Sequence, residues 1–169
     1  MFKLRSANRP VAPVGVPPAL LDGPQVDGPQ GELASRTLAM PADINPSGDI
    51  FGGWIMAQMD AAGAITATRW AQGRAVTAAV TDMAFLKPVK IGDVVCFYTD
   101  PVREGRTSLA LHVEVWVLRQ GKGERVKVTS AEFTFVALDE QGRPRPVQGG
   151  TAVAPSKRHG VASPEAEST

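Results

Sequence analysis

The chain has 169 residues, of which 43% are apolar and 21% charged, fractions that are ordinary for one globular domain. Its formal net charge is +1, so the overall charge does not indicate nucleic acid or a membrane as a partner. The one cysteine, Cys96, excludes an internal disulfide and leaves too few thiolates for a metal site. We therefore expect a cytoplasmic protein that binds no metal.

Both ends of the chain are rich in proline and glycine, which do not easily build helices or central strands. No continuous apolar run follows the basic residues near Met1, so we expect no secretory signal. We predict flexible tails over residues 1–31 and 143–169, and one folded unit over residues 32–142.

The folded unit begins with a predicted strand over residues 32–40 and a loop of turn-forming residues over 41–51. A helix without internal proline is predicted from Gly53 to about Ala71, and Gly73 is expected to stop it. Four strand-like runs follow, at residues 75–85, 94–102, 107–119 and 125–138.

Alternation of apolar residues is clearest in the third of these runs, which predicts a half-buried strand. Its apolar set is Leu109, Leu111, Val113, Val115 and Val117. The turns at 103–105 and 120–123 are too short for parallel crossovers, so the sheet is predicted to be antiparallel.

The predicted helix is apolar or small at nearly every position from Trp54 to Ala67. A helix of this kind is normally buried on several sides. We therefore predict an α+β fold in which an antiparallel sheet curves around one long central helix.

Asp60 is the only ionisable residue between Phe51 and Arg69. Its neighbours three and four positions away cannot neutralise a carboxylate, so Asp60 needs a hydrogen bond or a wet cleft. Two interpretations stay open. In the first, Asp60 has a structural role, in which it caps another element or points to solvent; in the second, it is catalytic. The catalytic interpretation is supported by Gly52 and Gly53 at the helix start, where unpaired N–H groups favour developing negative charge.

The segment RTLAMPADINPSGDIFGGWIMAQMD, residues 36–60, strongly resembles bacterial YciA-type acyl-CoA thioesterases. The resemblance continues through FLKPV (85–89), IGDVVC (91–96) and VEVWV (113–117), and ends at TFVALD (134–139). It thus covers about residues 35–140. One departure is Ala84, where relatives often have Asn or Thr.

The resemblance implies a hot-dog fold and hydrolysis of acyl-CoA to a carboxylic acid and CoA, with no cofactor. It also implies a homodimer that assembles to a hexamer, with active sites between subunits. Asp60 and Asn45 would be catalytic and come from different subunits, although Asn45 alone reads as a turn former. Gly52, with Gly53 second, would polarise the thioester carbonyl.

Asp60 would act as a general base on water or attack directly to form an anhydride, and Asn45 would orient the water or the carbonyl. Basic and hydroxyl residues would contact CoA. The alternative for each of them is an ordinary surface side chain that contacts only solvent. We rank the Arg106, Thr107 and Ser108 turn first, because it resembles the CoA-contacting turn of the family. Lys87, Lys90 and Arg74 are further candidates.

Two other functions remain possible. A hot-dog dehydratase pairs its acid with a histidine, and no histidine lies near the helix or the loop before it. A noncatalytic acyl-CoA sensor would not need both Asp60 and Asn45. His112 is expected to pack in its strand, and Cys96 to be buried.

Overall fold

The computed structural model describes residues 28–121 and 123–147. The elements are β1 (Glu32–Leu38), a 3-10 turn (Pro41–Asp43), α1 (Gly52–Ala71), β2 (Ala75–Phe85), β3 (Val94–Glu104), β4 (Ser108–Leu118) and β5 (Arg125–Ala137). The five strands form one sheet in the order β1-β3-β4-β5-β2, and every neighbouring pair is antiparallel. The predicted α+β class is confirmed.

The predicted element boundaries differ from the observed ones by two residues at the ends of β1 and β3, and by one residue at the start of α1, at both ends of β4 and at the end of β5. β1 ends at Leu38 rather than Met40, because its partner β3 begins opposite Leu38, at Val94. Arg103 and Glu104 were predicted in a turn but continue β3, since they pair with Ala110 and Leu109 beyond a register shift. The β3–β4 connection is therefore residues 105–107.

One face of α1 packs on the sheet, and its contacts follow helical spacing. The buried residues of the helix are Ile55, Met59, Ala62, Gly63, Thr66, Ala67 and Ala71. A Cβ at Gly63 would lie 2.7 Å from the ring of Phe135, so glycine lets helix and sheet approach closely. Thr66 and Thr99 share a buried 2.8 Å hydrogen bond between their hydroxyls.

The opposite face of α1 is exposed in the single chain, where Met56 and Ile65 are 43% and 54% exposed. Our expectation that the helix is buried on several sides is therefore not met within one chain. Five strands cover only one side of a helix, and β2 at the sheet edge is itself exposed along most of its length. This apolar surface is available to another chain.

Residues after β5 also contact the folded unit. The Arg145 guanidinium donates to the carbonyl oxygen of Ala71 (2.7 Å), where a positive charge favours the helix C-terminus. Val147 N–H donates to the carbonyl oxygen of Arg106 (2.9 Å). The folded unit thus reaches beyond residue 142 to at least Val147. Most of the two predicted tails lies outside the described residues.

A polar network occupies the sheet face opposite the helix, around the buried carboxylate of Glu114. Lys127 Nζ lies 2.6 Å from Oε1, and Trp116 Nε1 and Gln30 N–H donate to Oε2 at 2.9 and 3.2 Å. His112 Nε2 lies 3.4 Å from Oε1, so this histidine is packed, as predicted. Burial alone would raise the pKa of Glu114, but these donors lower it to about 2.

Replacing Glu114 by Gln should weaken the dependence of stability on acid pH. The carboxylate of Glu114 stabilises the fold above its ordinary pKa of 4.5, and this contribution is lost as the pH falls toward 2. As the pH is lowered from 4.5 toward 2, we expect the free energy of unfolding to decrease more steeply in the wild type than in Glu114→Gln. Urea titrations at several pH values measure this. Exposed Glu124→Gln is the control, and equal slopes for wild type and Glu114→Gln would contradict the assignment.

Candidate active site

The loop before α1 is organised around Asn45. Its side-chain Oδ1 accepts hydrogen bonds from the main-chain N–H groups of Ser47 (2.9 Å) and Asp49 (3.1 Å). Its own N–H donates to the carbonyl oxygen of Asp49 (2.6 Å), and its carbonyl oxygen accepts from Gly48 N–H (3.0 Å). Asn45 is therefore the turn former that its residue type predicts.

The same loop is tied to the segment between β2 and β3. Asp49 forms an ion pair with Lys90, and Ile50 N–H donates to the carbonyl oxygen of Val89 (2.9 Å). The second segment is held in turn by Asp93, which is buried and paired with Arg119. Two loops thus form one continuous wall beside the helix start.

The first turn of α1 has no side-chain cap. The residue before it, Phe51, accepts the N–H groups of Trp54 and Ile55 through its carbonyl oxygen. Within the described part of the chain, no hydrogen bond occupies the N–H of Gly52 or Gly53. These donors lie at the positive end of the helix dipole, which favours an anionic or carbonyl oxygen.

A cavity of about 320 Å³ opens at this helix start. Its lining combines the Asn45 loop, the first turn of α1 and the segment after β2. The lining residues are Asn45, Asp49, Ile50, Gly52, Ile55, Phe85, Leu86, Lys87, Pro88 and Val89. Three predicted site residues, Asn45, Gly52 and Lys87, are thus brought together.

Asp60 lies eight residues beyond Gly52 on the same helix, about 12 Å along its axis. It is partly buried, and the hydroxyl of Thr77 in β2 donates a hydrogen bond to its Oδ1. Asp60 is not part of the cavity lining, and neither is Gly53. The carboxylate is thus held by a polar partner yet remains reachable from solvent.

The turn of Arg106, Thr107 and Ser108 lies elsewhere in the single chain. Ser108 is level with Val136 in β5, which pairs with Val76 in β2, whereas the cavity residue Phe85 lies at the other end of β2. Nine residues of extended strand, about 30 Å, separate Val76 from Phe85. One chain alone does not bring this turn to the cavity.

Within residues 28–121 and 123–147, no three His, Cys, Asp or Glu side chains form a group able to hold a metal ion. No helix of the same range is long and apolar enough to cross a membrane.

Comparison with known proteins places this geometry in a family. The model of the thioesterase superfamily matches residues 47–124. Over 126 residues the chain is 56% identical to the acyl-CoA thioester hydrolase YciA of Salmonella typhimurium, covering 72% of this chain and 95% of that one. The chain belongs to the YciA-type acyl-CoA thioester hydrolases. The resemblance found in the sequence is confirmed.

Solved structures of similar proteins agree with this YciA-type assignment. A hexameric thioesterase from Yersinia pestis is 54% identical, with a TM-score of 0.69 over 72% of this chain and 99% of that chain. A hexameric hotdog fold thioesterase of Campylobacter jejuni is 41% identical, with a TM-score of 0.67 over 70% and 91%. The predicted hot-dog fold is confirmed.

Thr77, which contacts the candidate catalytic residue Asp60, was not predicted from the sequence. A threonine in a strand is unremarkable by itself, because β-branched residues are common there. Only the packing of β2 across α1 brings its hydroxyl to Asp60. No local pattern in the sequence signals this contact.

Proposed function

We propose that this chain hydrolyses acyl-CoA thioesters. Water adds its oxygen to the acyl carbon, the carbon–sulfur bond breaks, and a carboxylic acid and the CoA thiol are released. The observation that carries this proposal is that every copy of α1 presents two groups, an N–H donor at Gly52 with no described partner and an acceptor carboxylate at Asp60. Acyl transfer needs both groups, one for the developing oxyanion and one for the attacking water.

Asp60 is the proposed catalytic acid–base residue, and the Gly52 N–H is the proposed oxyanion donor, with Gly53 second. As a general base, Asp60 takes a proton from water as the water attacks. As a nucleophile, it forms an anhydride that water then cleaves. Thr77 holds the carboxylate by one oxygen, which leaves the other for chemistry.

The complete site is proposed to need a second copy of the chain. Asp60 lies outside the cavity that contains Asn45 and Gly52, so a neighbouring copy would supply the carboxylate to each cavity. The exposed apolar face of α1 and the unpaired edge of β2 offer the surface for such a contact. We propose a homodimer assembled into a hexamer, as the similar solved proteins are hexameric. Sedimentation of active enzyme as a monomer would contradict this.

The same assembly bears on the proposed CoA contacts. Lys87 lies in the cavity lining, but Arg106, Thr107 and Ser108 would reach a bound CoA only from another subunit. Arg106 is exposed, and its main chain is anchored by Val147. A fixed turn whose guanidinium has no partner in the described part of the chain suits a phosphate group.

A dehydratase activity receives no support from the described histidine. His112 lies on the sheet face opposite α1 and is engaged with Glu114. The location in the cytoplasm and the lack of a cofactor stay predictions from sequence.

Replacing Asp60 by Asn should lower kcat by about 10²–10⁴, the range for loss of a general base. Release of the CoA thiol from a panel of acyl-CoAs measures the activity of the purified protein. Exposed Glu140→Gln is a matched control that should keep full activity. Near-wild-type hydrolysis by Asp60→Asn would contradict the assignment, and no thiol release by the wild type would favour a noncatalytic sensor.

Replacing Thr77 by Val should lower kcat about tenfold, because the Asp60 carboxylate loses a charge-assisted hydrogen bond that holds it in place. KM and the thermal midpoint should change little. Thr77→Ser retains the hydroxyl and should recover most of the lost activity. Equal losses in the Val and Ser variants would show that shape rather than hydrogen bonding matters.

Replacing Arg106 by Ala should weaken CoA binding about tenfold if the guanidinium contacts the 3′-phosphate. Affinity for dephospho-CoA should stay the same, because that ligand lacks the phosphate. Titration calorimetry with both ligands makes the comparison. Arg143→Ala removes another exposed cation and serves as the control; an equal loss for both ligands would argue against a phosphate contact.

A further inference from the structure

We infer that residues 10–21 of this chain dock on the outer face of the sheet, the face opposite α1, where they cover the side chains of Tyr98 and Trp116. The inference is independent of the hydrolytic reaction and gives a role to the long segment before β1. The docking segment itself precedes the described part of the chain, which starts at Gly28.

Gly31 turns the chain from β1 onto the outer face. Its φ is +83°, and a Cβ at this position would collide with the carbonyl oxygen of Thr99 in β3. Glycine therefore lets the chain cross close above β3. Gln30 then reaches β4, because its N–H donates to Oε2 of Glu114 (3.2 Å). The chain that leads into Gln30 thus lies above the sheet rather than beside it.

Trp116 lies next to this crossing point. Its indole Nε1 donates to the same Oε2 atom of Glu114 that accepts from Gln30 (2.9 Å). Trp116 packs with Cys96 and Tyr98 in a cluster on the outer face, where their side chains are 5%, 2% and 8% exposed. Large side chains on one face of a sheet reach such burial when another layer lies over them.

The apolar surface continues from this cluster to the sheet edge at β1. Leu33 is level with Tyr98, and Leu38 is level with Val94, so both leucines point to the outer face. They are 39% and 48% exposed. The outer face therefore combines a buried aromatic cluster with an exposed apolar border, which suits an apolar segment of limited length.

Residues 10–21, with the sequence PVAPVGVPPALL, match this surface. None of these side chains is polar, and four of the twelve residues are proline, which excludes a regular helix. A proline-rich segment favours the extended polyproline conformation. Segments of this kind bind along aromatic side chains, because their conformation is ordered in advance and little entropy is lost. Tyr98 and Trp116 provide such aromatic side chains.

The length and the charge of the connecting residues agree with this docking. Leu21 is nine residues before Gln30, and nine extended residues span about 30 Å. Five strands are only about 19 Å across, so the segment reaches every part of the face. The charged residues between Pro10 and Gln30 are both acidic, Asp22 and Asp27. They complement Arg36, which is exposed on the same face beside Cys96 and Tyr98.

Cys96 provides a built-in probe, because it is the only cysteine of the chain and belongs to the covered cluster. In the test variant, a glycine–serine stretch of equal length replaces residues 10–21, and circular dichroism establishes that the variant is folded. We expect Cys96 to react at least about tenfold faster with dithionitrobenzoate, which corresponds to about 1.4 kcal/mol of docking free energy. Removal of residues 148–169 is the control and should leave the rate unchanged. Equal rates in the wild type and the replaced variant would overturn the inference.

Two glycines test the path of the chain separately from its composition. Gly31→Ala should force the chain away from β3, so Cys96 should again react faster than in the wild type. Gly28→Ala is the matched control, because a Cβ at Gly28 meets no atom within 4 Å. Equal rates of Cys96 labelling in the two variants would contradict the proposed path.

A photo-crosslinker identifies the segment that covers the face. Benzoylphenylalanine replaces Val16 in the full chain, and mass spectrometry locates the cross-linked peptides in assemblies that mix ¹⁴N-labelled and ¹⁵N-labelled chains. We expect links to β3 near Tyr98 or to β4 near Trp116, within one chain. Links only between differently labelled chains would assign the cover to a second copy and overturn the inference, as would the absence of links to β3 and β4.

Discussion

The uncapped start of α1 is the feature on which the rest of the site depends. A helix beginning with Ser or Asp would satisfy its first N–H groups with its own side chain. Here the preceding residue is Phe51, and the first two helical residues are Gly52 and Gly53, so no residue that the structure describes occupies these donors. A helix end left without partners inside a protein is unfavourable unless water or a ligand supplies an acceptor. The N–H groups of the first turn thus stay available for an acceptor that enters the cavity, and the surrounding loops hold their position.

A second constraint comes from the amount of apolar surface. The sheet covers one face of α1, while Met56, Ile65 and the edge strand β2 stay exposed. A single chain with this surface is poorly suited to remain alone in water. In the proposed assembly, stability and catalysis would depend on one contact, because the contact that buries the helix would also bring a carboxylate to a neighbouring cavity.

Much of the fold follows from local patterns. The alternation from Leu109 to Val117 predicts β4, and glycine and short turns predict antiparallel neighbours. Asp60 stands out because it is the only ionisable residue in an apolar helix. Asn45 shows the limit of this reasoning: its residue type predicts a turn, which the structure contains, and only the family resemblance adds a catalytic role.

Local sequence patterns do not predict contacts that depend on strand order. The contact between Thr77 and Asp60 can be predicted only if it is known that β2 crosses α1 beside Asp60. The distance between Arg106 and the cavity can be predicted only if it is known that β5 lies between β2 and β4 in the sheet. Likewise, the Glu114 network joins the two strands β4 and β5 to Gln30, and a sequence shows only that a histidine and an acid share one strand face.

The ordered residues after β5 have a practical consequence. Through Arg145 and Val147, one short segment is fastened both to the last turn of α1 and to the Arg106 turn. A truncation at residue 142 would remove both of these contacts, and a fusion junction placed there would disturb them. Shortened versions of this protein should therefore retain the chain through residue 147.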